Sequence, residues 1–389
     1  MTEQFVIIGA GLAGAKAAET LRDEGFTGQI VLVGAEAVRP YERPPLSKGQ
    51  LLGTAEPDAA FVHDAEWYAE HDVDLRTGVR ATSIDRTGRT VTLDDGSTVA
   101  YDKLLITTGS SPRLLDTPGA DLDGVLYLRT MPDREKLSAQ LTDGARVVVL
   151  GGGWIGLEVA AAARSLGASV SLVETLPVPL QRVFGDEVGG LFQRLHEAHG
   201  VTFHTGASVR ELRGNGAVSS VVLADGTELP ADVVVVGVGI QPNISLAADA
   251  GVTTANGISV DAALRTSDPR IFAAGDVANA QHPLIGRPIR VEHWANALNG
   301  GPVAAKSMLG QDVAYDRLPY FFSDQYDLGM EYSGYVAPGG YDQMVFRGDP
   351  AGGEYVAFWL SDGCVLAGMN VNVWDVQDDI QRLVRAGFA

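Results

Sequence analysis

Two glycine-rich segments in this chain have the spacing of a pyrophosphate-binding turn. They read Gly9-Ala10-Gly11-Leu12-Ala13-Gly14 and Gly151-Gly152-Gly153-Trp154-Ile155-Gly156. The glycines allow a tight turn, close approach of the backbone to a phosphate and tight helix packing, and a helix that begins there supplies unpaired N–H groups. One such site is common in α/β proteins, but two in one chain predict two nucleotides held to react together.

Each segment lies where a strand should pass into a helix. Apolar strands are predicted just before them, at 5–8 and 147–150, and a further strand closes each unit and ends in an acid, Glu36 or Glu174. A carboxylate at that place accepts hydrogen bonds from an adenosine ribose. At Glu174 it would also disfavour a 2'-phosphate, which predicts NADH over NADPH. The combination makes both segments strong predictions of dinucleotide-binding units.

Length and charge indicate a large protein that binds neither nucleic acid nor membrane. The 389 residues predict two or three domains. No apolar stretch reaches the roughly 20 residues of a membrane span, since Glu158 interrupts the longest candidate. The first residues lead directly into a strand, so we expect no signal peptide and a cytoplasmic protein. The net charge of −20 argues against nucleic acid and anionic membranes as partners.

The single cysteine, Cys364, excludes an internal redox disulfide and clustered-cysteine metal sites. We expect it to be a packed small hydrophobe in a strand. His196 and His199 lack the i, i+4 spacing of a zincin helix, and we expect them to be surface residues. No metal site is predicted.

The second half of the chain repeats the organisation of the first. Strand-rich stretches with hairpin signals at 75–100 and 209–229 each follow a dinucleotide unit and lead to a returning strand, at 101–109 and 231–239, that ends in glycine. An internal duplication is the simplest account.

Three further motifs make the chain similar to a known family. They are Arg39-Pro40-Tyr41-Glu42-Arg43-Pro44-Pro45-Leu46-Ser47-Lys48, Ile271-Phe272-Ala273-Ala274-Gly275-Asp276 and Val291-Glu292-His293-Trp294-Ala295-Asn296. With the fingerprints, the chain resembles, over essentially its whole length, the FAD-dependent ferredoxin reductases of the putidaredoxin, rubredoxin and biphenyl-dioxygenase type, which have a glutathione-reductase-like fold.

The resemblance implies an α/β protein with two Rossmann-like domains, one inserted in the other, and a C-terminal α+β domain. The expected FAD domain covers 1–113 and 238–312, the NAD domain 114–237 and the third domain 313–389. The third domain is expected to contain an antiparallel series of strands from about residue 318 and a final helix at 376–385. The N-terminal fingerprint would bind FAD and the second NAD.

The resemblance also assigns residues to the cofactors. Besides the fingerprint residues, Glu36 and Glu174, the expected cofactor-binding residues are Arg43, Pro44, Lys48, Ala81, Thr108, Gly109, Arg129, Glu158, Gly239, Gly275, Asp276, Glu292, His293 and Trp294. Asp276 would accept hydrogen bonds from the ribityl chain. A helix from 293 to 309 would direct positive potential toward the flavin.

Lys48 and Glu158 are the expected catalytic residues. Ser47 can cap a helix, which would leave Lys48 in its first turn, where a cation is disfavoured. A functional reason is that Lys48 contacts the flavin near N5 and pairs with Glu158. The alternative is a solvated lysine whose stem packs on the diproline.

The expected function is transfer of hydride from NADH to FAD and of single electrons to a ferredoxin with a two-iron two-sulfur or similar cluster, which serves a cytochrome P450 or a ring dioxygenase. The alternatives are an NADH oxidase and a signalling flavoprotein resembling apoptosis-inducing factor. Arg287, Arg290 and Arg317 are candidates for a basic docking patch. Monomer and homodimer stay open.

Overall fold

The computed structural model describes residues 3–388 and contains two parallel sheets of five strands. The first has the spatial order Ile271–Ala273, Lys103–Ile106, Gln4–Ile8, Gln29–Gly34, Val73–Thr77. Residues 5–8 of its central strand are buried, as the apolar run predicts for a strand covered on both faces. Val73–Thr77 lies at its edge, so the stretch from 75 to 77 belongs to this sheet and the predicted meander begins later.

The second parallel sheet has the order Val201–Thr205, Ser169–Glu174, Arg146–Leu150, Val233–Val236, Val125–Leu126. The four valines of strand Val233–Val236 are buried and pair in register with Val147–Leu150 of the central strand. The two sheets therefore repeat one plan, with the fingerprint after the central strand of each.

Two antiparallel meanders confirm the hairpin signals. Their strands are Ala81–Asp85, Thr90–Leu93 and Thr98–Ala100 in the first half, and Val209–Asn215, Ala217–Leu223 and Glu228–Pro230 in the second. Two smaller sheets complete this part of the chain. They consist of Ser110–Pro112 with Ile240–Pro242, and of Thr254–Ala255, Gly257–Val260, Ala278–His282 and Arg287–Ile289.

The order of the chain interleaves the two parallel sheets. After Lys103–Ile106 the chain leaves the first sheet, builds the second, and returns to add Ile271–Ala273 beside Lys103–Ile106. The ribbon of Ser110–Pro112 and Ile240–Pro242 lies where the chain leaves and returns. Both parallel sheets and their interleaving confirm the predicted fold class, while the domain boundaries stay a prediction.

The helices connect and cover the sheets. The α-helices are Leu12–Asp23, Gly49–Leu52, Ala65–Glu70, Met131–Ser138, Trp154–Ser165, Gln181–Ala198, Ser245–Asp249, Trp294–Met308 and Gln377–Phe388, and the 3-10 turns are Pro44–Ser47, Pro57–Ala60 and Gly275–Val277. Leu12–Asp23 packs along Trp294–Met308, which joins the first fingerprint to the third motif. No helix within residues 3–388 is long and apolar enough to cross a membrane.

The C-terminal part is an antiparallel sheet with the order Tyr320–Gln325, Leu328–Gly334, Cys364–Val371, Glu354–Ser361, Gln343–Asp349. The amphipathic helix Gln377–Phe388 packs on it through Ile380 and Val384. The edge strand Tyr320–Gln325 packs in turn against Trp154–Ser165, the helix that follows the second fingerprint. The C-terminal sheet thus contacts the helix that begins at the second predicted nucleotide-binding turn.

Candidate active site

A single cavity of about 1380 Å³ is lined by both fingerprints. It lies at the carboxyl ends of the central strands of both parallel sheets, where doubly wound folds bind nucleotides. All predicted catalytic and cofactor-binding residues line it except Gly14 and Gly156. The structure therefore brings together residues from positions 9 to 294 that the sequence separates widely.

The first fingerprint forms a cradle that side chains would fill. Gly9 has a φ of +115°, and a Cβ there would lie 2.2 Å from the carbonyl oxygen of Thr107. A Cβ on Gly14 would lie 2.1 Å from the carbonyl oxygen of Gly9, so Gly14 acts by close helix packing rather than by lining the cavity. A Cβ on Gly11 would meet no protein atom within 4 Å and would point into open space. These are the separate requirements of a pyrophosphate turn.

The second fingerprint has the same geometry. Gly151 has a φ of +104°, and a Cβ on Gly156 would lie 2.0 Å from the carbonyl oxygen of Gly151. Gly153 is open like Gly11. Glu174 accepts hydrogen bonds from the backbone N–H groups of Gly152, at 2.7 Å, and Leu176, at 2.9 Å. The acid at the strand end is thus fixed against the turn.

The acid of the first unit lies in a network at the cavity wall. Glu36 accepts hydrogen bonds from the Tyr41 hydroxyl, at 2.5 Å, and from the Arg43 guanidinium, at 2.8 Å. Arg129 and Asp276 form a further ion pair at 2.9 Å. Arg43 of the first motif and Asp276 of the second are therefore each paired with another side chain before any ligand is considered.

His293 places an unpartnered polar atom in the cavity wall. Its Nδ1 is buried and has no hydrogen-bond partner among residues 3–388. Burial disfavours the charged imidazolium and lowers the pKa of His293 to about 4. A neutral imidazole at the start of helix Trp294–Met308, beside its positive end, fits a polar or anionic group of a bound cofactor.

Lys48 and Glu158 meet where the two halves of the cavity join. The Lys48 Nζ lies 2.7 Å from the Glu158 Oε1, and the Ser47 Oγ donates to the Glu158 Oε2 at 2.5 Å. The Glu158 side chain is only 5% exposed. The predicted pairing of the two residues is present in the structure.

Ser47 does not cap a helix, contrary to the sequence expectation. Pro44–Ser47 is a 3-10 turn, the following helix Gly49–Leu52 has four residues, and neither has a side-chain cap. The hydroxyl instead bonds Glu158, a long-range partner that local sequence cannot reveal. Lys48 lies between these elements, so helix-dipole arguments do not apply to it.

The edge strand Tyr320–Gln325 contributes residues that the sequence reasoning missed. The Phe322 ring lies 5.6 Å from the Lys48 Nζ, and the Ser323 hydroxyl donates to the Glu158 Oε1 at 2.7 Å. Phe321 packs against the rings of Trp154 and His293. The run of three aromatic residues from 320 to 322 is the only signal in the sequence, and such a run is equally typical of the core of a sheet.

Two tryptophans of the predicted set have different surroundings. Trp154 makes edge contacts with Phe184, Phe192 and Phe321, so packing accounts for it while its remaining surface lines the cavity. Trp294 is half-buried beside Phe322, with ring centroids 5.9 Å apart.

Two expectations about other side chains were wrong wholly or in part. His196 is fully buried, because strand Tyr320–Gln325 of the C-terminal sheet covers its face of helix Gln181–Ala198. His199 is exposed, as expected. Cys364 begins a strand and is exposed rather than packed. The basic docking patch stays a prediction: Arg287 and Arg317 are exposed, and Arg290 is paired with Glu292.

Comparison with known proteins decides the family. The sequence profile of the pyridine nucleotide-disulphide oxidoreductases matches residues 3–301, and the reductase C-terminal profile matches residues 320–388. The chain belongs to the pyridine nucleotide-disulphide oxidoreductase family. The reductase C-terminal profile begins at residue 320, where the first strand of the C-terminal antiparallel sheet, Tyr320–Gln325, also begins.

Individual members of this family are similar over nearly the whole chain. The ferredoxin–NAD(+) reductase component of an anthranilate 1,2-dioxygenase system from Burkholderia cepacia is 44% identical, over 99% of this chain and 95% of that protein. A ferredoxin reductase for the CYP199A2 system from Rhodopseudomonas palustris has a TM-score of 0.92 and 40% identity, covering 95% of this chain and 91% of the other. Putidaredoxin reductase in its covalent complex with putidaredoxin has a TM-score of 0.94 and 36% identity, covering 98% and 93%. The predicted resemblance is confirmed.

Proposed function

We propose that this protein is an FAD-dependent reductase that oxidises NADH and passes electrons to a ferredoxin serving an oxygenase. The observation that carries the proposal is the joining of two dinucleotide cradles in one cavity at the Lys48–Glu158 pair. The ferredoxin reductase relatives, similar across all parts of the chain, support the same reaction.

The cavity residues fit FAD on the N-terminal side. Gly9, Gly11 and Gly14 leave the cradle that a pyrophosphate needs, and the Nδ1 of His293 lacks a protein partner. Asp276, although paired with Arg129, is half-buried and lines the cavity, where a carboxylate can accept hydrogen bonds from hydroxyl groups. FAD accepts the hydride of NADH and releases electrons one at a time, which links a two-electron donor to a one-electron iron–sulfur acceptor.

The residues of this chain would act by positioning and electrostatics. Lys48 supplies a cation that Glu158 holds at the junction of the two nucleotide cradles. Helix Trp294–Met308 directs the positive end of its dipole into the same cavity. Both groups stabilise negative charge on the N-terminal side, and no group is required as a general base.

Disulfide reduction, which the family name includes, does not fit this chain. A single cysteine cannot form an internal disulfide, and Cys364 is not among the residues that line the cavity. The electrons must therefore leave to a separate acceptor. A ferredoxin satisfies this requirement, and exposed Arg287 and Arg317 are candidates for binding its acidic surface.

The proposal is tested with the purified holoprotein. Denaturation should release FAD and no FMN, anaerobic NADH should bleach the flavin absorbance, and cytochrome c reduction should be fast only with added two-iron two-sulfur ferredoxin. Slow turnover with a long-lived charge-transfer complex would instead indicate the signalling flavoprotein, and NADH-dependent oxygen consumption without ferredoxin an oxidase. The cytoplasmic location and the choice between monomer and homodimer stay predictions.

A further inference from the structure

A line of hydrogen bonds runs from Glu158 away from the cavity into the C-terminal sheet. The Ser323 Oγ bonds the Glu158 Oε1 at 2.7 Å, and the Gln325 Nε2 bonds the Ser323 Oγ at 3.1 Å. The Gln325 Oε1 lies 2.7 Å from the Nε2 of His196, and the Tyr326 hydroxyl lies 3.3 Å from the His196 Nδ1. Ser323, Gln325 and His196 are all at least 98% buried.

The direction of this line is fixed by its carboxylate end. An ionised carboxylate only accepts hydrogen bonds, so the Ser323 hydroxyl must donate to Glu158. Its oxygen then accepts from the Gln325 amide N–H, which leaves the Gln325 carbonyl oxygen as the acceptor facing His196. The Nε2 of His196 must therefore carry a proton, and its Nδ1 is the acceptor for the Tyr326 hydroxyl.

The surroundings of His196 agree with one neutral tautomer. Burial lowers the pKa of His196 to about 4, although the hydrogen bond with Gln325 opposes the shift. The neutral ring has one donor and one acceptor, and the line uses both. The exposed end is closed by Tyr326, whose ring stacks on His199 with centroids 3.7 Å apart.

Three separate parts of the chain therefore meet at one buried carboxylate, and two of them donate hydrogen bonds to it. Ser47 and Lys48 come from the first of the three motifs, Glu158 and His196 from the second dinucleotide unit, and Ser323 and Gln325 from the C-terminal sheet. The donors to Glu158 are Ser47, Lys48 and Ser323. Charge-assisted hydrogen bonds are about twice as strong as neutral ones and are directional. Removing one would let the carboxylate turn and take Lys48 with it.

We infer that Ser323, Gln325 and His196 are positioning residues that hold Glu158, and through it Lys48, for hydride transfer. The inference rests on the proposed function and deepens it. It makes the C-terminal sheet part of the NADH-oxidising site.

The chain offers a matched pair of serines for the test. Ser323 and Ser333 are both buried in neighbouring strands, and each hydroxyl donates at 2.7 Å, to Glu158 and to Gln377 respectively. In stopped flow at saturating NADH, Ser323→Ala should slow flavin reduction about tenfold, as expected for one lost hydrogen bond to a charged group. NADH half-saturation should be unchanged, and Ser333→Ala should reduce at the wild-type rate. Gln325→Met should also slow flavin reduction, but by less than Ser323→Ala.

A second measurement does not depend on turnover. Nitrogen-15 NMR of the histidine-labelled oxidised holoprotein should show His196 as the neutral Nε2–H tautomer from pH 6 to 8. An Nδ1–H tautomer, titration near pH 6.5, or equal reduction rates for Ser323→Ala and Ser333→Ala would overturn the inference. Failure of NADH to reduce the wild-type flavin would overturn the proposed function, while the tautomer would still report whether the line of hydrogen bonds exists.

Discussion

The side chains of Lys48 and Glu158, 110 residues apart in sequence, meet at 2.7 Å between Nζ and Oε1. They come from two units that each hold a complete dinucleotide cradle. The pair is thus a direct contact between the two units, formed at the junction of their cradles.

We expect Lys48→Ala to slow NADH-dependent flavin reduction about tenfold or more, the effect of losing a charge-assisted hydrogen bond near the reacting atoms. FAD retention should change less, because Lys48 lies at the junction and the Gly9–Gly14 turn is untouched. Stopped-flow absorbance and flavin content measure the two effects. Lys306→Ala is the control, since Lys306 pairs with Glu24 and does not line the cavity. An unchanged reduction rate would make Lys48 a structural lysine.

The two open glycines allow the nucleotide sites to be blocked separately. Gly11 and Gly153 have extended backbone angles, and an added Cβ meets no protein atom. Gly11→Val should therefore fold but purify without FAD, whereas Gly153→Val should retain FAD and raise the KM for NADH. Flavin content and circular dichroism distinguish the outcomes. Equal flavin content in both variants would contradict the assignment of FAD to the first cradle.

Glu174 should make the protein prefer NADH over NADPH. A 2'-phosphate would lose the hydrogen bonds of the ribose hydroxyl and face an anion, which predicts at least about a ten- to hundredfold preference in kcat/KM. Glu174→Arg should shift the preference toward NADPH, measured with a saturating artificial acceptor. Glu174→Gln is the control for the hydrogen bond with the Gly152 N–H, since it keeps an acceptor oxygen without the charge. Equal use of NADH and NADPH by the wild type would show that Glu174 does not select between the two nucleotides.

His196 should make stability depend on pH below neutrality. Its folded pKa of about 4 lies below the ordinary value of 6.5, so the unfolded chain binds the proton first. The stability is fully present above about pH 6.5 and falls as the pH drops toward about 4, by about 1.4 kcal/mol per pH unit. Urea unfolding of wild type and His196→Gln at pH 7 and pH 5 isolates this contribution, since other groups cancel in the comparison. We expect the variant to lose about 2 kcal/mol less than the wild type between these values. Identical losses would show that His196 titrates alike in both states.

The sequence predicted those parts of the site that depend on local order. A strand, three glycines and a helix occur within 20 residues, and their geometry follows from backbone sterics. The burial of His196 and the partners of Ser47 could not be predicted in this way, because both depend on the edge strand Tyr320–Gln325 or on Glu158, which are more than 100 residues away. Helical spacing shows that His196 lies on one face, but not that a distant strand covers that face.

The return of Ile271–Ala273 to the first sheet sets an order for biosynthesis. When the ribosome has made only the first half of the chain, Lys103–Ile106 is an open sheet edge, with backbone groups free to pair with another chain. The second parallel sheet, whose strands all lie between residues 125 and 236, can close by itself in the meantime. The N-terminal cradle is completed by Gly275, Asp276 and His293, so a nascent chain cannot hold its flavin firmly until about three quarters of the protein has been synthesised.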